Sequence, residues 1–516
     1  MREDGASTFD RSPGGARIEA LVFAGLLLFL AWSPLPFGSN RPWAVCILVA
    51  WVAALAALWT LGWTFGAVRF QPALRQGGLP LALLAGWVCV IALQVLPLPL
   101  ETLKLFSPGA ADAYAIGYAG AARSTGYLSV EAAATLRYLG LSVAFLLFFA
   151  LLLLVVRSEA RLRMLCYTLV LSGSFQAILG IYLFFTGARY HLFFEQVMHG
   201  LHLYPSGTFI NRNHFAAYLE ISLAVGAGLM VAQFRAESAR TWKQRVRWLA
   251  DLMLSGKARL RILLVIMVIG LILTRSRMGN GALFAAIFVG GAFGLTLSQV
   301  PRRALLVFLT SMIVLDVFVI GSWIGVDKVM ERMRQTSITT AERRGGAAPG
   351  QDGGDSLQER VGPGLGGLAV LKDYPLFGSG GGTFYVAFPR YRAAGSTGFF
   401  DHAHFDYAEF AADGGGIGIL LLLGFGLSSF GMALHVLRKR ANPLYRGAAL
   451  GAVMGMVAIG LHITVEFMLQ IPAVAFAFVT LCAMPWIGRK LPQQSRRREI
   501  AAPAAAHRLR VGAGAG

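Results

Sequence analysis

Two histidines and an aspartate stand close together in the segment Asp401–Asp413 (DHAHFDYAEFAAD), just before three consecutive glycines. Histidine is the side chain best suited to take up a proton near neutral pH, and a neighbouring aspartate can orient its ring. His402, His404 and Asp406 are therefore candidate catalytic residues, and the apolar spacing around them predicts the start of a short helix. A zinc site is a rival interpretation, but no further His or Cys cluster of ligand spacing follows. Ordinary surface polarity before a helix is the third interpretation.

A second candidate site is a tight turn, LTRSRMG at 273–279, that carries two arginines, Arg275 and Arg277. A planar guanidinium with five donors suits bidentate binding of a phosphate group. Arginines near a membrane surface also reach back to lipid headgroups, which accounts for one arginine more easily than for two. The turn therefore predicts phosphate binding, with headgroup contact as the alternative.

A third polar cluster, Asn211-Arg212-Asn213-His214, stands within Ser206–Glu220 at the start of an apolar stretch. Asparagine is a good N-terminal cap, and the free N–H groups of a helix start attract anions. We predict that all four residues bind substrate. For the two asparagines and the histidine, an equal interpretation is that they cap the helix and contact the membrane surface. For Arg212, substrate binding is the favoured interpretation.

Other polar residues give weaker signals. Gly378–Thr383 (GSGGGT) lacks the Gly-Lys-Ser/Thr ending of a phosphate loop, so we expect a tight turn there. Glu220, Asp316 and Glu466 fall at or near membrane depth, where a carboxylate is costly. A functional role and pairing with an interfacial arginine are equal interpretations for these three carboxylates. His462, near the end of a span, is expected in ordinary packing.

The composition of the chain indicates which kind of secondary structure must position these residues. The chain has 516 residues, of which 56% are hydrophobic and only 14% charged, against about 25% charged in a soluble domain. Lys and Arg number 46 against 26 Asp and Glu, for a formal net charge of +20. A soluble enzyme, a disordered chain and a collagen-like fibre are excluded, and so apolar a chain indicates a bilayer, not a nucleic-acid partner. The four cysteines lie in apolar runs, so neither disulfides nor a metal site is expected.

Apolar runs of roughly 20 residues, long enough to cross a bilayer, number about twelve. The predicted fold class is therefore an all-α polytopic membrane protein with a large outer loop before its last three spans. The predicted spans are 18–37, 42–65, 79–98, 138–156, 164–186, 214–234, 260–274, 278–298, 304–324, 415–437, 447–465 and 467–487.

The placement of Lys and Arg predicts the orientation of these spans. Most Lys and Arg residues fall in the terminal segments and in the connections on the same side as the termini. The positive-inside rule therefore places both termini in the cytoplasm. All three polar clusters then lie on the outer face. We divide the chain into a membrane core of nine spans (1–324), an outer loop with short helices (325–413), a core of three spans (414–487) and a basic tail (488–516). The tail is expected to be disordered.

With these motifs the chain resembles the bacterial O-antigen ligase and polymerase superfamily, which also includes protein O-oligosaccharyltransferases. The resemblance rests on the order and sidedness of four motifs and on the arrangement of the spans. The motifs are GTFINRNHFAAYLE at 207–220, LTRSR at 273–277, DYPLFGSGGGTFYVAFPRYR at 373–392 and HAHFDYAEFAADGGGIG at 402–418.

The resemblance implies an integral membrane glycosyltransferase of the GT-C kind, working on the periplasmic face of the inner membrane. Its donor would be a glycan on undecaprenyl diphosphate, and its reaction would be inverting and metal-independent, without a cofactor. The family's arginines that hold the donor diphosphate match Arg212 and Arg277 best. Arg275 fits the family's Ser-Arg pattern less well.

The family's essential outer-loop histidine matches His404, and His402 is the reserve candidate for the base. Arg392, the last residue of the third motif, joins the predicted substrate-binding residues. Family members often have asparagine directly after this histidine, where this chain has Phe405. The local hydrogen bonding at the site should differ accordingly.

The resemblance leaves the acceptor open. A ligase transfers the glycan to lipid A-core, a polymerase extends a lipid-linked chain, and an oligosaccharyltransferase modifies a protein; the ligase reaction is favoured. A lipid-linked polymerase of the cell-wall type, using Asp401 or Asp406, is a further alternative. A transporter or flippase is the alternative of another class. The sequence contains no inverted repeat and no series of carboxylates in consecutive spans that would indicate one.

Overall fold

The computed structural model describes residues 13–70, 74, 77–117, 124–187, 190–191, 194–195, 204–233, 256–297, 302, 306, 310–311, 314, 357–392 and 400–492. Nearly all regular structure in these ranges is α-helical. The helices are α1 (Pro13–Trp32), α2 (Pro42–Thr64), α3 (Gly78–Gln94), α4 (Leu100–Phe106), α5 (Pro108–Gly117), α6 (Ala132–Val155), α7 (Glu159–Thr186), α8 (Arg212–Ala232), α9 (Gly256–Leu273), α10 (Arg277–Leu297), α11 (Leu357–Asp373), α12 (Phe384–Ala387), α13 (Asp406–Lys439), α14 (Pro443–His462) and α15 (Pro472–Lys490).

Short elements fill some of the connections. Two 3-10 helices cover Phe37–Ser39 and Phe388–Tyr391. Antiparallel strand pairs join Leu98–Pro99 (β1) to Thr125–Gly126 (β2), and Tyr190–His191 (β3) to Phe194–Glu195 (β4). Each of these strands is only two residues long.

In the part of the chain that the structure describes, nine helices are long and apolar enough to cross a membrane, namely α1, α2, α6, α7, α8, α10, α13, α14 and α15. Helix α3 is apolar but shorter. This result confirms the predicted all-α polytopic class. The predicted ninth span, 304–324, and the basic tail beyond Pro492 lie outside the described residues, apart from a few isolated positions in that span. The predicted division into domains stays a prediction.

The helices begin where the sequence supplies caps. Oδ1 of Asn211 accepts the backbone N–H of Asn213 at 2.7 Å at the start of α8. Oδ1 of Asn442 accepts the N–H of Leu444 at 2.8 Å before α14. Proline occupies the first turn of α2, α14 and α15, where its missing N–H costs nothing.

Helices α8, α14 and α15 are the innermost ones, and most of their residues are buried. Small residues bring the α8 and α14 backbones into contact. A Cβ added at Gly228 would collide with the carbonyl oxygen of Gly447, and one added at Gly451 would lie 2.7 Å from that of Ala224. Such close approach is how helices gain packing energy in a membrane, where no hydrophobic effect drives them together.

The ends of the long helices lie on two opposite sides of the protein. We call one of these sides the upper end. There, Oγ1 of Thr208 donates to the carbonyl of Pro34 at 2.5 Å. At the other, lower end, Nδ2 of Asn442 donates to Glu159 at 3.0 Å, and Arg157 forms a buried ion pair with Glu19. The predicted polar clusters all belong to connections at the upper end.

A second, smaller apolar cluster covers the upper end. Its core includes Leu103 of α4 and Val370 of α11, and the Phe384 and Phe388 rings stack with centroids 5.0 Å apart. The glycine-rich segment 378–383 is a tight turn, as its sequence predicts. It wraps around Asp413 in α13, whose Oδ2 accepts the N–H of Gly382 at 2.8 Å.

Two predicted boundaries differ from the structure. Helix α13 starts at Asp406 and breaks at Gly415, whose φ of 67° and ψ of −171° are non-helical, so the predicted short helix and the tenth span are joined. The predicted twelfth span, 467–487, begins only at Pro472, and the predicted eleventh ends at His462. Residues 463–471 form a largely buried connection. The prediction is wrong here because hydropathy alone does not distinguish a buried loop from a helix.

Candidate functional site

The side chain of His404 meets a buried carboxylate. Its Nδ1 lies 2.5 Å from Oε1 of Glu466, so the turn before α13 and the 463–471 connection come together. The Glu466 side chain is 1% exposed and that of His404 is 27% exposed. The backbone of His404 is left-handed, with φ of 51°, a strained conformation for a residue other than glycine. The histidine is therefore accessible and held in one orientation by a partner that is not accessible.

One aromatic ring, Phe467, organises three of the predicted residues. The His402 ring stacks on it with centroids 4.2 Å apart and an interplanar angle of 21°. His404 and His214 contact it edge-on at 4.9 and 4.7 Å. Phe467 thus fixes the relative placement of residues from the 401–413 and 206–220 segments.

His402 has its own carboxylate partner, Glu409, one turn inside α13. Nδ1 of His402 lies 2.6 Å from Oε1 of Glu409, and Oε2 of Glu409 accepts the N–H of Ala403 at 2.8 Å. Burial by itself lowers the pKa of His402, but the charge and hydrogen bond of Glu409, with Asp401 and Asp406 behind it, outweigh burial and raise the pKa to about 9. His402 is therefore largely cationic at neutral pH.

Asp406 is fully buried at the first turn of α13. Its Oδ2 accepts the backbone N–H groups of Met468 at 2.8 Å and Leu469 at 2.7 Å, while its own N–H donates to Ile463. These contacts join the 463–471 connection to α13 and so support the position of Glu466. The catalytic role of Asp406 stays a prediction.

The ring of Tyr204 holds two of the predicted arginines. The Arg212 guanidinium carbon lies 3.8 Å from the ring centroid and that of Arg275 lies 5.7 Å from it. Arg212 is half-buried as the first residue of α8, and Arg275 is exposed in the turn between α9 and α10. Arg275 has a left-handed φ of 52°. The Asn211–His214 cluster and the turn at 273–279 therefore contact the same aromatic ring.

Arg277 is exposed and is the first residue of α10. The hydroxyl of Ser276 caps this start by accepting the N–H of Gly279 at 3.2 Å. A Cβ added at Gly279 would lie 3.1 Å from Cβ of Ala216, one turn into α8 from Arg212. The helix starts that carry Arg212 and Arg277 are therefore packed side by side.

The other residues of the Asn211–His214 cluster have structural contacts. Asn211 is the cap of α8. Nδ2 of Asn213 donates to Oε2 of Glu466 at 2.9 Å, inside the protein. His214 is 3% exposed and its Nε2 has no hydrogen-bond partner in the described structure. The predicted substrate contacts of these three residues stay predictions.

Arg392 lies at a different place on the upper end. It follows the 3-10 helix Phe388–Tyr391, and its guanidinium carbon is 5.6 Å from the ring centroid of Phe400. Within the described residues no hydrogen bond or ion pair joins Arg392 to His404 or to Arg212. Its substrate-binding role stays a prediction.

Sequence reasoning missed Tyr204, Glu409 and Phe467, and it did not connect Glu466 to His404. A lone carboxylate in the apolar stretch 463–471 is the one available signal, because burying it requires a partner. The two aromatic residues give no signal, since aromatic side chains are common at membrane surfaces. Among the described residues, no group of three or more His, Cys, Asp and Glu side chains is placed to hold a metal ion.

A family model provides an independent comparison. The model described as O-antigen ligase matches residues 262–423. The matched stretch runs from α9 into α13 and contains Arg275, Arg277, His402 and His404, whereas Tyr204, Arg212 and Glu466 lie outside it. No curated protein matches the chain. The motifs at the upper end, the multi-pass helical fold and this match agree, and together they support the O-antigen ligase and polymerase superfamily for this chain.

Proposed function

We propose that the protein is a glycosyltransferase that moves a glycan from undecaprenyl diphosphate to a hydroxyl group of an acceptor. The single observation that carries this proposal is the convergence at the upper end of an accessible histidine, His404, with the arginine-bearing starts of α8 and α10. Catalysis by such enzymes needs a proton acceptor beside a cationic site for a phosphorylated leaving group.

The donor diphosphate is proposed to bind at the two adjacent helix starts. Arg212 and Arg277 each stand at the first residue of a helix, where backbone N–H groups also favour an anion. Arg275 shares the Tyr204 ring with Arg212 and adds a third cation. Positive charge there stabilises the negative charge that builds up on the departing diphosphate.

His404 is the proposed general base. A base must be unprotonated to accept a proton, and His402, with its pKa of about 9, is largely cationic at neutral pH. His404 presents Nε2, which has no hydrogen-bond partner among the described residues, while Nδ1 faces Glu466. The raised pKa of His402 counts against that residue as the base, and we keep His404 as the proposed base.

The proposed step is a single displacement. Nε2 of His404 takes the proton of the acceptor hydroxyl, and the oxygen forms a bond to the anomeric carbon from the face opposite the diphosphate. The bond from that carbon to the phosphate oxygen breaks, its electron pair leaves with the undecaprenyl diphosphate, and the configuration inverts. Diphosphate is already a good leaving group, so the step needs no strong acid.

The apolar helices indicate a multi-pass membrane protein, and the family match supports a location in the inner membrane. We further propose that the upper end faces the periplasm and that both termini are cytoplasmic, since the positive-inside rule favours this orientation. Within the family, we favour the ligase reaction with lipid A-core as the acceptor, which the description of the matching family supports. Polymerase and protein oligosaccharyltransferase reactions would use the same donor chemistry.

An in vitro transfer assay with the purified protein and a lipid-diphosphate-linked glycan tests the proposal. We expect His404→Ala to lower kcat by about 10² to 10⁴-fold and Arg277→Ala to weaken donor use. Arg41→Ala is a matched control, because Arg41 is an exposed cation beside Phe37 in another upper-end connection. Near-normal transfer by both the His404 and Arg277 variants would overturn the assignment.

An experiment with a deletion strain distinguishes the possible acceptors. Loss of all long lipopolysaccharide bands with accumulation of free lipid-linked polymer in a deletion strain is the outcome expected of a ligase. A band with a single repeat unit would instead identify a polymerase. Movement of labelled glycan across proteoliposomes without a new glycosidic bond would indicate a transporter.

A further inference from the structure

Glu466 is contacted from two sides by polar groups of two different predicted clusters. Its Oε1 lies 2.5 Å from Nδ1 of His404, and its Oε2 accepts from Nδ2 of Asn213 at 2.9 Å. The carboxylate is 1% exposed, so water cannot replace either partner. Oε1 also accepts the backbone N–H of Phe467 at 3.3 Å, so one oxygen faces His404 and the Phe467 amide while the other faces Asn213.

The hydrogen-bonding chemistry of these groups determines where the histidine proton lies. An ionised carboxylate only accepts hydrogen bonds, and Nδ2 of an asparagine only donates them. Asn213 donates to Oε2 and the N–H of Phe467 donates to Oε1, so both oxygens act as acceptors and Oε1 is an acceptor toward His404 as well. Nδ1 of His404 must then carry the hydrogen, and the lone pair of the neutral ring is on Nε2.

We infer that Glu466 is a positioning residue that, together with Asn213, fixes the tautomer and the ring orientation of His404. This inference rests on the proposed function, in which Nε2 of His404 accepts the proton of the acceptor hydroxyl. Glu466 also offers a negative charge to the imidazolium that forms when that proton arrives. Asn213 directly follows Arg212, so the same helix start presents a donor-binding cation and orients the base.

Glu466→Gln tests the inference because it changes the hydrogen bonding with little change in shape. Asn213 still requires an acceptor at 2.9 Å, whereas the bond from the Phe467 N–H to Oε1 is long at 3.3 Å. The glutamine oxygen therefore turns toward Asn213, and its NH₂ group turns toward Nδ1 of His404 and replaces the Phe467 contact. Nδ1 then becomes the acceptor and the hydrogen moves to Nε2, which can no longer take a proton. We expect kcat to fall by up to about 10⁴-fold, the loss that the wrong histidine tautomer produces in a serine protease triad, with the KM for the donor unchanged.

Exchanging the carboxylate and the amide between positions 213 and 466 should restore the activity that Glu466→Gln loses. In the double variant Asn213→Asp with Glu466→Gln, the new carboxylate accepts from the glutamine NH₂ group, and the glutamine oxygen again faces Nδ1 of His404. We expect kcat to recover well above that of Glu466→Gln alone. A purely structural role predicts the opposite, because the second substitution would add to the damage of the first.

A second buried histidine–carboxylate pair provides the matched control. Nδ1 of His462 lies 2.7 Å from Oε1 of Glu220, and both side chains are almost fully buried in α14 and α8. Glu220→Gln should keep kcat within about twofold of the wild type, since this pair has no role in the proposed step. An equal loss of kcat in Glu220→Gln and Glu466→Gln would overturn the inference.

The tautomer can also be read from the wild-type protein. Histidine-selective ¹⁵N NMR, with the His404 signals assigned by comparison with His404→Gln, should show that the neutral form of the ring carries its hydrogen on Nδ1. Protonation at Nε2 instead would overturn the inference, and this measurement does not depend on whether the Glu466 variant folds. The proposed function fails separately, when the wild-type protein forms no glycosidic bond in the transfer assay.

Discussion

The guanidinium carbon of Arg212 lies 3.8 Å from the ring centroid of Tyr204, and Arg275 approaches the same ring from another connection. The sequence places these arginines more than 60 residues apart. A cation over an aromatic face gains electrostatic attraction from the ring without donating a hydrogen bond to it. Tyr204 therefore holds the proposed donor-binding arginines without using up their hydrogen-bond donors.

Replacing Tyr204 should affect donor binding more than the chemical step. We expect Tyr204→Ala to raise the donor KM by roughly twofold to thirtyfold, the range set by measured cation–π energies. Tyr204→Phe keeps the ring and should behave almost as the wild type in the same transfer assay. Equal defects in the two variants would mean that the hydroxyl, and not the ring, is what matters.

The His402–Glu409 pair predicts a pH dependence of stability. The pKa of His402 is raised from its ordinary value of 6.5 to about 9 in the folded protein. The stabilisation by the charged pair is therefore fully present below pH 6.5 and is lost as the pH rises through 9. Thermal unfolding in detergent between pH 6 and 10.5 measures this loss.

His402→Gln is the control for that series. The difference in Tm between the wild type and this variant should shrink steadily on the alkaline side, because the wild type loses the same charge there. A difference that stays constant across the whole pH range would contradict the raised pKa. The variant should also retain more transfer activity than His404→Ala if His404 is the base.

Packing between α8 and α14 predicts a stability defect far from the chemistry. A methyl group at Gly447 would collide with the carbonyl of Gly228, so Gly447→Ala must separate two packed backbones. We expect a loss of about 1–3 kcal/mol, seen as a lower Tm in detergent. Gly431→Ala is the control, because nothing lies within 4 Å of a Cβ added there. Similar Tm values for the two variants would contradict close packing.

The orientation can be tested with single cysteines in a variant that lacks the four native ones. Asp401 is exposed at the upper end and Lys439 is exposed at the lower end of α13. Asp401→Cys should react with a membrane-impermeant maleimide on spheroplasts, and Lys439→Cys should react only after permeabilisation. The reverse pattern would place the upper end in the cytoplasm and contradict the proposed orientation.

The sequence by itself determined the class of fold and the neighbourhood of the site. Apolar runs of membrane length require helices, because a bilayer offers no water to satisfy backbone groups. The alternation of these helices brings every second connection to one side, so Arg212, Arg277 and His404 had to share an end. Cap residues such as Asn211 also set the start of α8 correctly. These properties depend on local composition and order alone.

Tertiary structure alone decided which partner each side chain has. Hydropathy assigned residues 467–471 to a span, but they fold as a buried connection that carries Glu466 to His404 across 62 positions of sequence. Two histidine candidates that stand two positions apart contact different buried carboxylates, Glu409 for His402 and Glu466 for His404. Pairing and burial are non-local, and the tautomer and charge of a histidine depend on both.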